Sequence, residues 1–232
     1  MQYEDLLDIL YEDNHVLALN KPAGWSSAQD DNSMVDLAKA YLKEKYHKPG
    51  NVFLGVVHRI DKPVSGVLVF ARTSKAAARL SEQFRDRGVV KTYWAVTAPS
   101  RGWAVGDSAS LEDWLFHDDD THRVRVVKHH TLGAKTARLT YFVKAEHDGR
   151  RLLELNPLTG RKHQLRVQLA SRGAPIIGDR KYGSTESFGD AIALHARSLT
   201  ILHPITTEQL TLNAALPKPW RGRFAHLLKG LT

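Results

Sequence analysis

The sequence predicts a mixed α+β domain, with a mainly antiparallel sheet carrying helices and loops on its outside. Three observations predict it. Short apolar runs alternate with Pro- and Gly-marked turns along the whole chain. Two segments of the N-terminal half repeat apolar residues at helical spacing. The C-terminal half is richer in strands and carries hairpin signals at Asp148-Gly149 and around Pro204 to Glu208. With 232 residues and no low-complexity tract, Gly/Ser linker or internal repeat, one continuous domain over residues 1–232 is expected.

The elements follow in order. Residues 15–20 read as a strand that stops at the Lys21-Pro22-Ala23-Gly24 turn. Residues 33–46 read as a helix, with Ser33 as N-cap, Asp36 in the first turn, and Val35, Ala38 and Leu42 on one face. The apolar runs 51–57 and 67–71 read as strands flanking His58-Arg59-Ile60-Asp61-Lys62-Pro63-Val64-Ser65-Gly66. Residues 74–87 repeat the helical logic, with Ser74 as cap, Ala77, Leu80 and Phe84 packing, and Gly88 as the stop. Residues 89–96 return as a strand that puts Tyr93 and Trp94 on opposite faces. Residues 137–144 and 152–155 pair through Asp148-Gly149. Residues 162–171 read as a short basic helix ended by Gly173, and 198–203 with 209–213 as a last hairpin.

Composition narrows the chemistry. There is no cysteine, which excludes disulfides, thiolate metal sites and cysteine nucleophiles. The first five residues are acidic and lack the basic start and apolar core of a signal peptide, and no apolar run is long enough to span a bilayer, so a cytoplasmic protein is expected. Thirty-three Lys and Arg against 25 Asp and Glu give a net charge of +8, a footprint that fits a polyanion. The surplus is concentrated in residues 121–151 and 161–181, whereas residues 1–13 and 111–120 are acidic. A merely solvated basic surface is the plainer alternative.

The candidate site residues lie in two segments a hundred residues apart. Asp61, between an arginine and a Lys-Pro turn, is placed either to act as nucleophile or base or simply to cap a turn. Arg161, after Thr159-Gly160 and just before a helix, can hold a guanidinium rigidly toward an anion. If it faces Asp61 it fixes the carboxylate's direction; an ordinary buried ion pair is the alternative. Tyr93 either stacks on a base or packs in the core. Arg59 either joins the surface or inserts into a nucleic-acid helix, and Lys21 either contacts phosphate or is a solvated turn residue. The twelve histidines do not make a metal site: His129 and His130 are adjacent and cannot both point at one ion from a strand. His163 and His195 read as hydrogen-bonded packing residues. Residues 178–183 form a turn, and no Gly-rich phosphate loop or dinucleotide fingerprint is present, so neither a metal nor a cofactor is expected.

These segments resemble a known family. His58-Arg59-Ile60-Asp61 with Ser65-Gly66 is similar to the His-Arg-Leu-Asp-x-x-Thr-Ser-Gly signature of RNA pseudouridine synthases of the RluA type. Asn20-Lys21-Pro22-Ala23-Gly24, Lys91-Thr92-Tyr93, the stretches 157–166 and 177–183, Leu194-His195-Ala196 and His203-Pro204 resemble further blocks of that family in the same order. Val64 replaces the usual Thr, Ile60 the usual Leu, Gln168 a common His, and Trp25-Ser26-Ser27 the frequent Val-His-Pro. The resemblance implies a pseudouridine-synthase-like catalytic domain that isomerises uridine in ribosomal or transfer RNA without cofactor. Within it, Asp61 is the essential aspartate, Tyr93 stacks on the uracil, Arg161 pairs with Asp61, and Arg59 fills the gap left by a flipped nucleotide. Lys21, His58, Lys162 and Arg166 join Arg59 as expected RNA contacts. A monomer without a preceding S4-type RNA-binding module is expected, so that the catalytic domain recognises its target unaided. Two rival readings remain: a non-catalytic RNA-binding protein, and a glycosidic hydrolase, for which Asp61 and Asp179 are the available carboxylates without forming an evident pair.

Overall fold

The structure is a computed structural model that describes residues 6–28, 33–98 and 102–231. The acidic start at residues 1–5 lies outside the described residues. The chain divides into two compact units: Met1–Lys91 with Ala196–Pro217, and Thr92–His195 with Lys218–Thr232.

The first unit opens with an antiparallel pair, β1 (Ile9–Glu12) and β2 (Val16–Lys21). There follow α1 (Met34–Lys45), β3 (Gly55–Val56), β4 (Ser65–Ala71) and α2 (Ser74–Arg85). β2 runs antiparallel to β4, from Val16 opposite Ala71 to Lys21 opposite Gly66. Both strands read as nearly unbroken apolar runs because both of their faces are covered. Leu17, Leu19, Leu68 and Phe70 pack with Met34, Val35, Ala38 and Leu42 of α1. Val16, Ala18, Val67, Val69 and Ala71 point the other way, to Ala76 and Leu80 of α2. Each fully buried Leu or Phe here contributes about 1.5–3 kcal/mol relative to an exposed one, so these two clusters hold the unit together.

Two expectations shift by a residue or more. Ser33 does cap α1, accepting the Asp36 N–H at 3.4 Å, but α2 is capped by Thr73, whose Oγ1 accepts the Ala76 N–H at 3.2 Å. Thr73 keeps the extended backbone (φ −135°, ψ 153°) that an N-cap needs, and Ser74 is already helical. The strand expected over residues 51–57 shrinks to Gly55 and Val56, opposite Ala71 and Phe70. Where it stops, the Val69 N–H of β4 donates to His58 Nε2 at 2.9 Å, so an imidazole continues the ladder in place of a backbone carbonyl.

The second unit is built on β5 (Val90–Thr97), β6 (Ser108–Asp118), β7 (Arg123–Val127), β8 (Lys135–His147) and β9 (Arg150–Pro157), antiparallel in the order β5-β9-β8-β6-β7. Asp148 and Gly149 join β8 to β9 with φ of 50° and 72°, the two positive values that a two-residue type I′ turn requires. α3 (Gln164–Ala170) lays Val167 on Leu115, Val124 and Ala137. The helix expected from residue 162 starts only at Gln164, because His163 is left-handed (φ 52°, ψ 19°) and cannot belong to a right-handed helix. β10 (Leu194–Leu202) belongs from Ala196 onward to the first unit, where it forms the expected hairpin with β11 (Gln209–Asn213). The short helices α4 (Lys218–Arg223) and α5 (Ala225–Leu228) close the second unit, with Trp220 and Phe224 buried beside Phe188 and His195. Among the described residues, no helix is long and apolar enough to cross a membrane.

Gly66 opens β4 under a tight constraint. Its φ is 117°, and a Cβ on it would lie 2.2 Å from the Ala196 carbonyl oxygen. Gly66→Ala is therefore expected to destabilise the protein by about 3 kcal/mol or more. Urea unfolding measures this as a lowered midpoint at unchanged slope. An unchanged midpoint would mean that β4 can draw away from Ala196 at little cost.

Candidate active site

Asp61 stands half-buried in the loop between β3 and β4, and both of its chain neighbours are tied down. Before it, Ile60 is gripped twice by Ser27: the Ile60 N–H donates to Ser27 Oγ at 3.1 Å, and the Ser27 hydroxyl donates to the Ile60 carbonyl at 2.7 Å. After it, the Lys62 carbonyl accepts the Gly24 N–H at 2.8 Å and the Lys21 ammonium at 3.2 Å. The Asp61 carbonyl itself accepts the Val64 N–H at 3.0 Å, closing the turn over Lys62 and Pro63. Residues 21–27 thus form a cradle that holds the Asp61 loop at four points, and a side chain carried on such a loop has little freedom to wander.

The cradle corrects two expectations. Lys21 is fully buried, and its ammonium donates to the carbonyls of Pro22 and Trp25, both at 2.8 Å, as well as to that of Lys62. Burial pushes Lys21 down to about 7, with the charge of Asp61 opposing that shift. All three of its protons are engaged inside the unit, so it is neither a phosphate contact nor a solvated turn residue. His58 is half-buried: it accepts the Val69 N–H and stacks on Phe84 with centroids 4.6 Å apart and planes 13° apart. Burial, aided by the nearby charge of Lys91, pushes His58 down to about 3. A neutral ring used in this way is part of the scaffold. Between them, Arg59 is exposed.

The second unit holds the other expected residues. Tyr93 is half-buried on β5, opposite Leu155, while Trp94 faces the other side and donates its indole N–H to Glu154 at 3.3 Å. Arg161 is exposed in the loop before α3, and its Nε donates to the Thr136 carbonyl at 3.0 Å. Lys162 is exposed, with Nζ 2.7 Å from His117 Nε2. Arg166 corrects a third expectation. It is buried, 6% exposed, in a two-pronged ion pair with Asp179 at 2.7 and 2.9 Å, and its guanidinium lies 5.1 Å from the Tyr182 ring centroid. A guanidinium enclosed in that way organises the protein rather than meeting a phosphate. His163 joins the same group, with Nδ1 2.7 Å from the Tyr182 hydroxyl, and His195 is fully buried.

The comparisons agree with the family resemblance. The sequence matches the profile of the family described as RNA pseudouridylate synthase over residues 15–171, a span that contains Asp61, Tyr93 and Arg161. The chain belongs to that family. It is 35% identical to tRNA pseudouridine synthase C of Yersinia pestis, over 94% of this chain and 89% of the relative. It is 34% identical to the dual-specificity RNA pseudouridine synthase RluA of Haemophilus influenzae, over 91% and 94% of the two chains. In structure it is similar to human RNA pseudouridylate synthase domain containing 4, with a TM-score of 0.76 at 27% identity, covering 95% of this chain and 91% of that one. The enzyme is therefore an RNA pseudouridine synthase, an isomerase whose substrate is uridine in RNA.

Some of what supports the synthase's site has no signature in the sequence. Ser27 lies in the Trp25-Ser26-Ser27 stretch that departs from the family's usual Val-His-Pro, and nothing local says that it will clamp a loop 33 residues on. Gln164 and Thr159 are likewise polar residues whose partners come from β8, over 20 residues away. The position of Lys21 was legible in principle: it ends a strand whose apolar residues, Val16 to Leu19, are all buried.

His58 gives the synthase a defined acid sensitivity. Its folded-state value of about 3 lies below the ordinary 6.5, so the unfolded chain takes up a proton in that window that the folded chain refuses. The stability contributed by the neutral ring is complete above pH 6.5 and is lost as pH falls toward 3. Wild type should consequently lose more thermal stability between about pH 7 and 4.5 than His58→Gln does. Equal losses in calorimetry at the two pH values would remove His58 from this role.

Proposed function

We propose that the synthase isomerises a specific uridine of transfer or ribosomal RNA, with Asp61 as the essential carboxylate. The glycosidic bond from ribose C1′ to N1 of the base breaks, the uracil turns, C1′ bonds to C5, the proton of C5 leaves to water, and N1 takes one up from water. Atoms balance within the nucleoside, so the reaction consumes no cofactor. The observation that carries this reading is the cradle of Ser27, Gly24 and Lys21, which pins the residues on both sides of Asp61 while leaving Asp61 half-buried. A carboxylate that must meet a reacting nucleoside repeatedly in one geometry calls for that kind of support. Tyr93 stacks on the uracil, Arg161 supplies positive charge to the reaction, and exposed Arg59 takes the place of the nucleotide that leaves its stack. The relatives named above for transfer RNA and for dual specificity support the choice of structured RNA.

The buried pair of Arg166 and Asp179 speaks against the hydrolase alternative. Asp179 is 1% exposed and wholly engaged by the guanidinium, so it is not the second carboxylate that glycosidic hydrolysis uses.

RNA transcribed with tritium at uridine C5 tests the reading directly. Wild type should release tritium to water, whereas Asp61→Asn should release none while binding RNA within about threefold of wild type. Turnover by Asp61→Asn would sink the assignment. Arg59→Ala should slow release from folded RNA about tenfold or more, with a smaller effect on short unstructured strands, because only a stacked nucleotide must be extruded. Equal slowing on both substrates would remove Arg59 from the flipping step.

A further inference from the structure

Arg161 sits on a loop whose geometry is set by one buried side chain, that of Gln164, which is 4% exposed. Its Oε1 accepts two donors, the Arg161 N–H at 3.0 Å and the Thr159 hydroxyl at 2.7 Å. Its Nε2 donates to the Arg138 carbonyl of β8 at 2.9 Å. This pattern fixes the amide's orientation, because the oxygen faces donors and the nitrogen faces a carbonyl. Thr159 Oγ1 in turn accepts the Arg138 N–H at 2.8 Å, so the loop is stapled to both polar groups of one β8 residue. The Gln164 backbone N–H also donates to the Arg161 carbonyl at 3.1 Å. Gln164 therefore grips the Arg161 residue at both ends, its N–H by the side chain and its carbonyl by the backbone. Between the two, His163 is held in a left-handed conformation that a β-unbranched residue other than glycine or asparagine adopts at a cost. A strained backbone persists only where its surroundings over-determine it, and here the staple supplies that determination.

We propose that Gln164 is a positioning residue for the isomerisation, acting through Arg161. The inference rests on the role given to Arg161 above. Arg161 is exposed and reaches its Thr136 carbonyl through a single nitrogen, so its direction depends on where its own backbone is held. Loosening the loop moves the guanidinium without removing it, and a misplacement of about 1 Å is enough to lower turnover strongly.

Single-turnover tritium release, with enzyme in excess so that slow rates are measurable, is compared for wild type, Gln164→Met, Arg161→Ala and the double variant. Gln164→Met keeps the side chain's length and removes its hydrogen bonds. It should lower the rate constant at saturation by about tenfold or more and leave the half-saturating enzyme concentration within about twofold. In the Arg161→Ala background the same substitution should cost nothing further. A loss that is undiminished in that background, a loss in RNA affinity alone, or no loss would overturn the proposal while leaving Arg161 in its role. Wild-type rates from Arg161→Ala would instead remove Arg161, and Gln164 with it. Should Gln164→Met fail to fold, Thr159→Val tests the same staple by deleting one hydroxyl: a smaller loss that vanishes with Arg161→Ala supports the proposal, and a persistent one overturns it. Restoration of the rate by Thr159→Ser, which returns the hydroxyl, separates the staple from simple packing.

Discussion

The grip of residues 21–27 on the Asp61 loop is the interaction on which the placing of Asp61 depends. It combines a buried ammonium, a buried hydroxyl and a backbone amide, all directed at the peptide groups beside Asp61. Peptide groups removed from water must find partners, and here the partners come from a segment some 40 residues earlier in the chain. The two apolar layers around β2 and β4 keep the two ends of this grip in register. Lys21 lies opposite Gly66, and Gly66 lies against Ala196 with no room for a side chain. The packing of the unit and the placing of its carboxylate are thus one structural fact.

The second unit solves the same problem by other means. The segments 157–166 and 177–183 are joined by the Arg166–Asp179 pair and by His163 and Tyr182, and the tyrosine hydroxyl also accepts the Val124 N–H of β7 at 3.2 Å. A buried, fully hydrogen-bonded ion pair adds little net stability over an apolar pair, but once formed it admits few alternative geometries. What it fixes is the position of α3 and of the loop that carries Arg161. Several other arginines are also tied to carboxylates of the protein. Arg72 serves Glu12, Arg172 serves Asp113, and Arg150 and Arg223 share Glu186. The net charge of +8 consequently points to a polyanion partner without saying which cations meet it.

The secondary structure was legible wherever hydrophobic period and end signals coincided. α1 with its Ser33 cap, the Asp148-Gly149 turn and the last hairpin all stand where the residues place them. The long β6–β7 hairpin was not legible, because β6 mixes exposed Ser and Ala with a run of acids and so lacks a clean alternation. α4 and α5 are too short to show a helical period, and α4 is also rich in Arg, Gly and Pro. The cap placed at Ser74 and the helix start placed at Lys162 were off by one and two residues for a common reason: the backbone conformation of the residue before a helix decides the cap, and side-chain type only biases it.

By itself the sequence determined the mixed α+β class, the order of the motifs and the family they point to, because each of these is written in local residue order. Only the tertiary structure decided what the individual cations do. Lys21, His58 and Arg166 stand in motif positions as readily as Arg59, Arg161 and Lys162, and composition does not separate the two sets. Burial separates them. The first three are taken up by carbonyls, an amide and a carboxylate of the folded chain, while the latter three remain exposed. Whether a charge faces water or protein depends on which remote backbone folds over it, and that is a property of the packed chain alone.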